Sequence, residues 1–341
     1  MEKEEAVLLK DIITLDHGSG GIRTAQLIEE ILLPAFQNPA LETLGDGALL
    51  PNSGQPLVFS TDSFVVTPWK FPGGDIGKLA VCGTVNDLCM AGGKPCYLSL
   101  SFVLEEGFLM DDLREIVASI AKTAKQAEVQ IVTGDTKVVE RGKGDGVYIN
   151  TAGIGFQRAA GLGVEAIRPG DMVLVSGSIG CHGAAVMMAR GDLPCNGELC
   201  SDCQPLHRLS AEVLQTGGIR IMRDPTRGGV ATTLNEFVEK SAFSIELAEE
   251  KIPVDPAVEA ACSLLGLDSL YSACEGRMLA VVAPEKAEEV LRAMRREPGG
   301  SKAACIGRVT REYPGKVILR TSLGGGRLLD KLAGAQLPRI C

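Results

Sequence analysis

Five stretches of the sequence set an aspartate among small and hydroxyl-bearing residues: LGDGALL with Asp46, STDS with Asp62, VNDLCMAGG with Asp87, TGDTK with Asp135 and RDPTRGG with Asp224. Carboxylates are hard oxygen ligands, and a magnesium ion bound with a polyphosphate draws such ligands from several separate elements. One Asp in such a setting is more often a helix cap or turn former. The repetition beside glycine is what points to cation and phosphate chemistry. The other reactive group is Cys341 in QLPRIC, the last residue of the sequence. No residue follows that thiol to pack it, so it reads as a frayed end or as a mobile nucleophilic handle.

The common nucleotide loops are absent. FPGGDIGKLA carries Gly77 and Lys78, but Pro72 stands where a Walker loop needs its first Gly, and Leu79 replaces the Ser or Thr that would hold magnesium. No GxGxxG follows a strand in the dinucleotide arrangement either. In PCNGELCSDCQPLH, Cys195, Cys200, Cys203 and His207 lie close together without the second CxxC of a zinc ribbon. The favoured reading is a surface loop with incidental cysteines, over a structural metal or a Cys195–Cys200 or Cys195–Cys203 bridge.

These residues need positioning elements, and the chain supplies βα units. PLVFSTDSFVV reads as a strand reaching Thr61 and Asp62, and GGDIGKLAVCGTVNDLCMAGG as a helix closed by Gly92 and Gly93. MDDLREIVASIAKTAKQAE is amphipathic, and VQIVTGDTKVV is a strand running into Gly134, Asp135 and Lys137. The pattern restarts at RPGDMVLVSGSIGCHGAAVMMARG and continues through IRIMRDPTRGGVATTLNEFVEK and GRMLAVVAPEKAEEVLRAMRR. With 341 residues, 45% hydrophobic and only 4% aromatic, the chain is long enough for two aliphatic-cored α/β domains. They are placed at residues 1–160 and 161–329, with 330–341 as a flexible arm. Twelve residues from Asp330 to Cys341 reach at most ~40 Å when extended. A formal charge of −9 disfavours nucleic acid and anionic membrane surfaces. The charged start and the lack of a long apolar run lead us to expect a cytoplasmic protein with its cysteines mostly buried and reduced.

Taken together, DHGSGG, STDSFVVTPWKFPGGDIGKLAVCGTVNDL, VTGDTKVV, MRDPTRGGVATTLNE and the final PRIC resemble the hydrogenase maturation branch of a superfamily. That superfamily holds the aminoimidazole ribonucleotide synthetases and selenophosphate synthetases, and the likeness spans nearly the whole chain. It implies a homodimer in which the N-terminal domains pair their sheets into a shared intersubunit barrel. It also implies ATP and magnesium as cofactors. ATP would contact the glycine loop His17, Gly18, Ser19, Gly20 and Gly21, with Thr61, Asp62, Asp87, Asp135 and Thr136. Magnesium would sit on Asp46, Asp62, Asp87 and Asp224. His17 is open to two roles, a phosphate contact or a hydrogen bond that orders the loop.

The implied task is to receive a carbamoyl group on the Cys341 thiol from a carbamoyltransferase, dehydrate it with ATP to a thiocyanate, and pass cyanide on. The recipients would be iron-carrying scaffold proteins of the HypC–HypD type that serve nickel-iron hydrogenase. Glu275 in ACEGR is then the base, unless it is a structural ion-pair partner, and Lys137 stabilises phosphoryl oxygens. The Cys341 thiol is expected to be raised in pKa by the adjoining terminal carboxylate and partly offset by Arg339. Many relatives carry two adjacent Asp in the first metal turn, whereas Asp46 is followed by Gly47, which leaves the metal count at Asp46 open. DHGSGGIR lacks the Cys and Lys of selenophosphate synthetases, which argues against that activity. A purine-type amide-activating synthetase and a non-enzymatic thiol or metal carrier stay as alternatives.

Overall fold

The computed structural model describes residues 12–42, 47–51, 54–191, 199–331 and 339–341. In the first half, β1 (Leu57–Phe64), a two-residue pair β2 (Lys70–Phe71) and β3 (Gly74–Asp75), β4 (Gly93–Glu105), β5 (Gln130–Val139) and β6 (Val147–Gln157) accompany helices Ile76–Met90 and Met110–Gln126. The long strands form an open sheet in the order β1-β6-β4-β5, with only β4 and β5 parallel. Among the described residues this sheet does not close into a barrel, and β1 and β5 are its edges. Gly92, next after the Ala91 cap and with φ +79°, closes the preceding helix as its sequence suggests, while Gly93 already opens β4.

Helix Ile76–Met90 shows no amphipathic stripe because it is covered nearly all round. It packs on β1, β4 and β6 and also against helix Met110–Gln126. Asp75 caps it by accepting from the Lys78 N–H at 2.9 Å, and the same carboxylate accepts from the Ser119 hydroxyl at 2.6 Å, tying the two helices together. Glycine at 77 is what lets them approach: a Cβ there would lie 2.7 Å from the Ile116 carbonyl oxygen. Helix Met110–Gln126 buries Met110, Leu113, Ile116, Val117, Ile120 and Ala124, the spacing of one helical face.

In the second half, β7 (Met172–Val175), β8 (Ile219–Arg223), β9 (Ser244–Ala248), β10 (Leu279–Val282), β11 (Ala304–Thr310), β12 (Val317–Arg320) and β13 (Gly326–Leu329) form one sheet in the order β13-β12-β9-β11-β7-β10-β8. Only β9 and β12 run parallel. The βα repetition gave α/β units without strand directions, and the outcome is a mixed sheet with helices Cys181–Arg190, His207–Thr216, Gly229–Val238, Pro256–Leu265 and Ala287–Arg296 around it. Helical periodicity reports an amphipathic face but says nothing of strand direction. MVLV of β7 and LAVV of β10 are central strands with almost no exposure.

Asn86 joins the halves from the last turns of its helix. Its amide donates to the carbonyls of Gln204 at 3.2 Å and Glu275 at 3.3 Å, and its Oδ1 accepts from the Leu206 N–H at 2.8 Å. One apolar cluster runs across the junction, with Leu79, Val85 and Cys89 from one side and Leu206, Leu209 and Val213 from the other. Ile340 belongs to that cluster and is 3% exposed, so the last residues are docked in this structure. Residues 332–338 of the arm read from the sequence lie outside the described residues.

Substituting Gly77→Ala gains about 1 kcal/mol of helix propensity but forces a Cβ onto backbone. We expect a net loss of roughly 1–3 kcal/mol, typical of overpacking. Gly21→Ala, where a Cβ meets only the Ser19 Oγ at 3.6 Å, should stay within about 0.5 kcal/mol of the parent. Denaturant melts of the two variants make the comparison.

Candidate functional site: a buried thiol beside an unpaired carboxyl

Just beyond β1 the backbone turns to receive the end of the chain. The Val65 N–H donates to the Cys341 main-chain oxygen at 3.1 Å and the Thr67 N–H to the Arg339 carbonyl at 3.2 Å, an alternation typical of an added strand. Arg190 donates from Nη2 to the Arg339 carbonyl at 2.7 Å and from Nε to the Thr67 carbonyl at 2.9 Å. Arg339, with φ +55°, is ion-paired to Asp145 and donates from Nε to the Val65 carbonyl at 3.2 Å. His182 Nε2 lies 2.6 Å from the Ile340 carbonyl oxygen.

This docking sinks the Cys341 thiol and pushes its pKa up to about 12. Burial is the main cause, the charge of Glu275 adds to it, Arg227 opposes it and Asp62 contributes a little. The sequence reading named the terminal carboxylate and Arg339 instead. Arg339 is paired with Asp145, and the positive charge that opposes the rise is that of Arg227 in the RDPTRGG turn.

Glu275 is 2% exposed, and its Oε1 has no hydrogen-bond partner among the described residues. It forms no ion pair among the described residues, which removes the structural-partner reading. Burial raises its pKa well above the carboxylate range, with Cys203, Asp224, Asp202 and Asp62 adding negative neighbours. Its turn is fixed from outside: Asp202 Oδ1 accepts from the Glu275 N–H at 3.4 Å and Oδ2 from the Gly276 N–H at 3.2 Å. Residue 276 has to be glycine, because a Cβ would fall 1.9 Å from the Asp202 carbonyl oxygen.

Asp62 on β1, Asp87 on helix Ile76–Met90 and Asp224 after β8 act on one another electrostatically. Burial and then Asp87 raise Asp224 to about 7, and burial raises Asp62, with Asp87 adding. Asp87 accepts from the Ser60 hydroxyl at 2.6 Å and Asp62 from the Ser63 N–H at 2.8 Å. Among the described residues no three His, Cys, Asp or Glu side chains close into a cage around one ion. Asp46 lies outside the described residues. Three hard donors whose joint ionisation is unfavourable fit a divalent cation that brings further oxygen ligands with a polyphosphate, rather than a protein-only cage.

Apart from the thiol site, a cleft of about 280 Å³ opens between the N-terminal glycine loop and β5. Phe36, Phe102 and Ile131 give it an apolar wall, and Asp135, Thr136 and Lys137 a polar rim. Gly18 permits the loop to touch β5, since a Cβ there would lie 2.5 Å from the Val138 nitrogen. His17 is buried and its Nδ1 accepts from the Thr14 N–H at 3.0 Å, so of its two readings the structure displays the loop-ordering bond. The Ser19 hydroxyl donates to the Asp16 carbonyl, and Gly20 with φ +81° and Gly21 complete the turn into helix Ile22–Leu27. Asp135, Thr136 and Lys137 lie within β5 and not in a turn, and Lys137 pairs with Asp135 at 2.7 Å, holding that carboxyl below its usual range. Thr61 donates to the Thr151 carbonyl at 3.0 Å. Within one chain, Lys137 and Asp62 therefore sit on opposite edge strands of the sheet.

The cysteine cluster separates. Cys203 is buried against Cys82, Cys200 is exposed, and both are free thiols, while Cys195 lies outside the described residues. His207 begins helix His207–Thr216 and stands 3.9 Å from Glu128. Cys203 thus departs from the surface-loop reading because its segment packs into the junction of the two halves. Residues that sequence reading passed over are His182, Arg190, Asp145, Arg227 and Ser201. Only His182 carried a signal, as one of three histidines in the chain, set in GCHG at the start of a helix.

Both sheets with this site define a class. The N-terminal domain of AIR synthase related proteins matches residues 44–157, and the C-terminal domain of the same group matches residues 168–320. A carbamoyl dehydratase HypE from Bradyrhizobium diazoefficiens is 51% identical over 332 residues, 96% of either chain. One from Escherichia coli is 46% identical over 335 residues, covering 96% of this chain and 99% of the relative. A crystal structure of hydrogenase maturation protein HypE in complex with ATP superposes with a TM-score of 0.93 at 47% identity, covering 96% of this chain and 99% of that one. A HypE–HypF complex matches at TM-score 0.78 and 45% identity, over 90% and 99% of the two chains. The chain belongs to the HypE family of carbamoyl dehydratases among the AIR synthase related proteins.

A thiol with pKa near 12 is almost wholly protonated at pH 8, with on the order of a thousandfold less thiolate than an ordinary cysteine. Iodoacetamide should therefore alkylate Cys341 far more slowly than the exposed Cys200 in the same sample, at a rate set by undocking of the chain end. Quantifying the two alkylated peptides by mass spectrometry checks this.

Proposed function

We propose that the chain dehydrates a carbamoyl group carried on the Cys341 thiol, using ATP, and so supplies cyanide for the iron of nickel-iron hydrogenase. What supports this reading is that the docked Cys341 thiol lies within electrostatic reach of Glu275, a buried carboxyl whose Oε1 has no hydrogen-bond partner among the described residues. The overall change is S–C(=O)NH2 plus ATP to S–C≡N, ADP and inorganic phosphate. The amide oxygen is too poor a leaving group to depart unaided, so it attacks the terminal phosphorus and leaves later as phosphate.

Two protons leave the amide nitrogen along the way. Glu275 in its ionised form accepts them one at a time, passing the first to the departing phosphate before it takes the second, and a carboxyl of raised pKa is the stronger base. Burial of Ile340 and half-burial of Cys341 limit the water that can compete for the activated carbon. The glycine loop and the rim of Asp135, Thr136 and Lys137 are suited to ATP, with the apolar wall taking the base, and Lys137 balancing charge on phosphoryl oxygens. Asp62, Asp87 and Asp224, together with Asp46, would hold magnesium, which when bound neutralises phosphate charge.

In this reading residues 1–160 bind ATP and dimerise, residues 161–329 carry Glu275, and residues 330–341 shuttle the thiol between cleft and surface. A homodimer with a shared barrel is supported by the open edges of the first sheet and by Leu57 and Phe59, 62% and 66% exposed on β1. A carbamoyltransferase of the HypF kind loads the thiol, and HypC–HypD type scaffolds receive the cyanide.

The test is mass spectrometry of the C-terminal peptide after incubation with donor protein and ATP. Loss of one water mass from carbamoylated Cys341, dependent on ATP, is the expected result. Glu275→Gln should still accept the carbamoyl group and slow the water loss by roughly 10²–10⁴-fold, as for loss of a general base. ATP turnover on a free amide by a Cys341→Ser chain would favour the small-molecule synthetase instead.

A further inference from the structure

His182 opens helix Cys181–Arg190 and is fully buried. A carbonyl oxygen can only accept, so the 2.6 Å contact with Ile340 requires the hydrogen on Nε2. The other nitrogen, Nδ1, lies 2.8 Å from Ser201 Oγ. That oxygen already accepts from the Cys203 N–H at 3.1 Å, which leaves its own hydrogen for Nδ1. Three hydrogen bonds thus run in one direction, from Cys203 through Ser201 and the ring to the Ile340 carbonyl, and they select a single neutral tautomer. Burial lowers the pKa of the ring, in keeping with that neutral form, and Asp202 is the charge that opposes this.

The ring plane is fixed as well. Phe71 meets it edge to face at 5.2 Å and 86°. Ser201 is pinned by its N–H to the Pro72 carbonyl at 2.8 Å and by Gly73, where a Cβ would lie 2.8 Å from the Ser201 backbone.

In an extended segment successive carbonyls point to opposite sides. Those of Arg339 and Cys341 face Thr67 and Val65, and that of Ile340 points the other way, to His182. We propose that His182, oriented by Ser201, is a positioning residue that grips the Ile340 peptide from the side opposite Val65 and Thr67, and so sets the Cys341 thiol for the dehydration. This rests on the reading of Cys341 as the carrier. With the grip lost, the peptide before Cys341 rotates and the thiol leaves its place beside Glu275, while the ATP cleft is untouched.

Full-length His182→Ala, His182→Gln and Ser201→Ala chains are compared with wild type by two readouts. The first is iodoacetamide alkylation of Cys341 relative to Cys200, with no ATP or donor present. The second is the single-turnover rate of ATP-dependent water loss from carbamoylated Cys341. In His182→Ala the alkylation ratio should rise roughly tenfold, the weight of one buried hydrogen bond, and water loss should slow by a similar factor. Ser201→Ala should shift both in the same direction by less. His182→Gln, whose side-chain N–H can still reach the Ile340 carbonyl, should recover most of both.

An unchanged alkylation ratio in His182→Ala overturns the proposal, and so does a Gln variant no better than Ala. Should the Ala variant fail to fold, Ser201→Ala against His182→Gln decides alone. Absence of any water loss in wild type would defeat the dehydratase reading, while the alkylation ratios would still judge the grip.

Discussion

The structure depends on how the end of the chain is held. The main-chain N–H groups of Val65 and Thr67 and the His182 ring, with Arg190 across the Arg339 carbonyl, fix three consecutive residues without reading most of their side chains. Such a dock is specific in register yet built from single bonds, each worth about 1 kcal/mol net, so it can form and release. A carrier thiol has to do both. Ile340 adds an apolar plug that joins the core shared by the two halves, and Arg339 is fixed at the mouth by Asp145.

The same dock explains the electrostatics of the site. A thiol at pKa about 12 beside a carboxyl pushed up by burial is a poor nucleophile at rest. In the function proposed above the docked sulfur has no need to be one, because it would already bear its cargo and reaction would occur at the attached amide. Activation would then belong to the loading step, with the end undocked. Glu275, by contrast, is raised in pKa by its own burial, and its Oε1 meets no hydrogen-bond partner among the described residues, as the proposed base role requires.

Much of this was legible from residue types. The five Asp stretches, the glycine loop, Glu275 and Cys341 all stand out, and the elements carrying them follow from helix and strand periodicity. Three things were not legible. Strand direction cannot be read from amphipathic patterns, so the mixed second sheet came as a finding. The docking of Arg339 to Cys341 depends on Val65 and Thr67, ordinary residues at the end of a strand whose free N–H groups are a property of the fold. Arg227, Asp145 and His182 act through neighbours more than 100 residues away in the chain, and their local sequence does not announce a partner. Cys203 was misplaced for the same reason, since SDCQPLH looks polar while its segment is drawn into the junction by Asn86 and Pro72.

The central claim is that the carbamoyl oxygen departs as phosphate from a group held on Cys341 in a closed cleft. Loading the thiol with carbamoyl bearing heavy oxygen and analysing the inorganic phosphate after one turnover tests it most directly. The account predicts one labelled oxygen in the phosphate for each thiocyanate formed, with none released to water. Unlabelled phosphate accompanied by label in the solvent would contradict it, since the oxygen would then have left by hydrolysis and not by transfer to phosphorus.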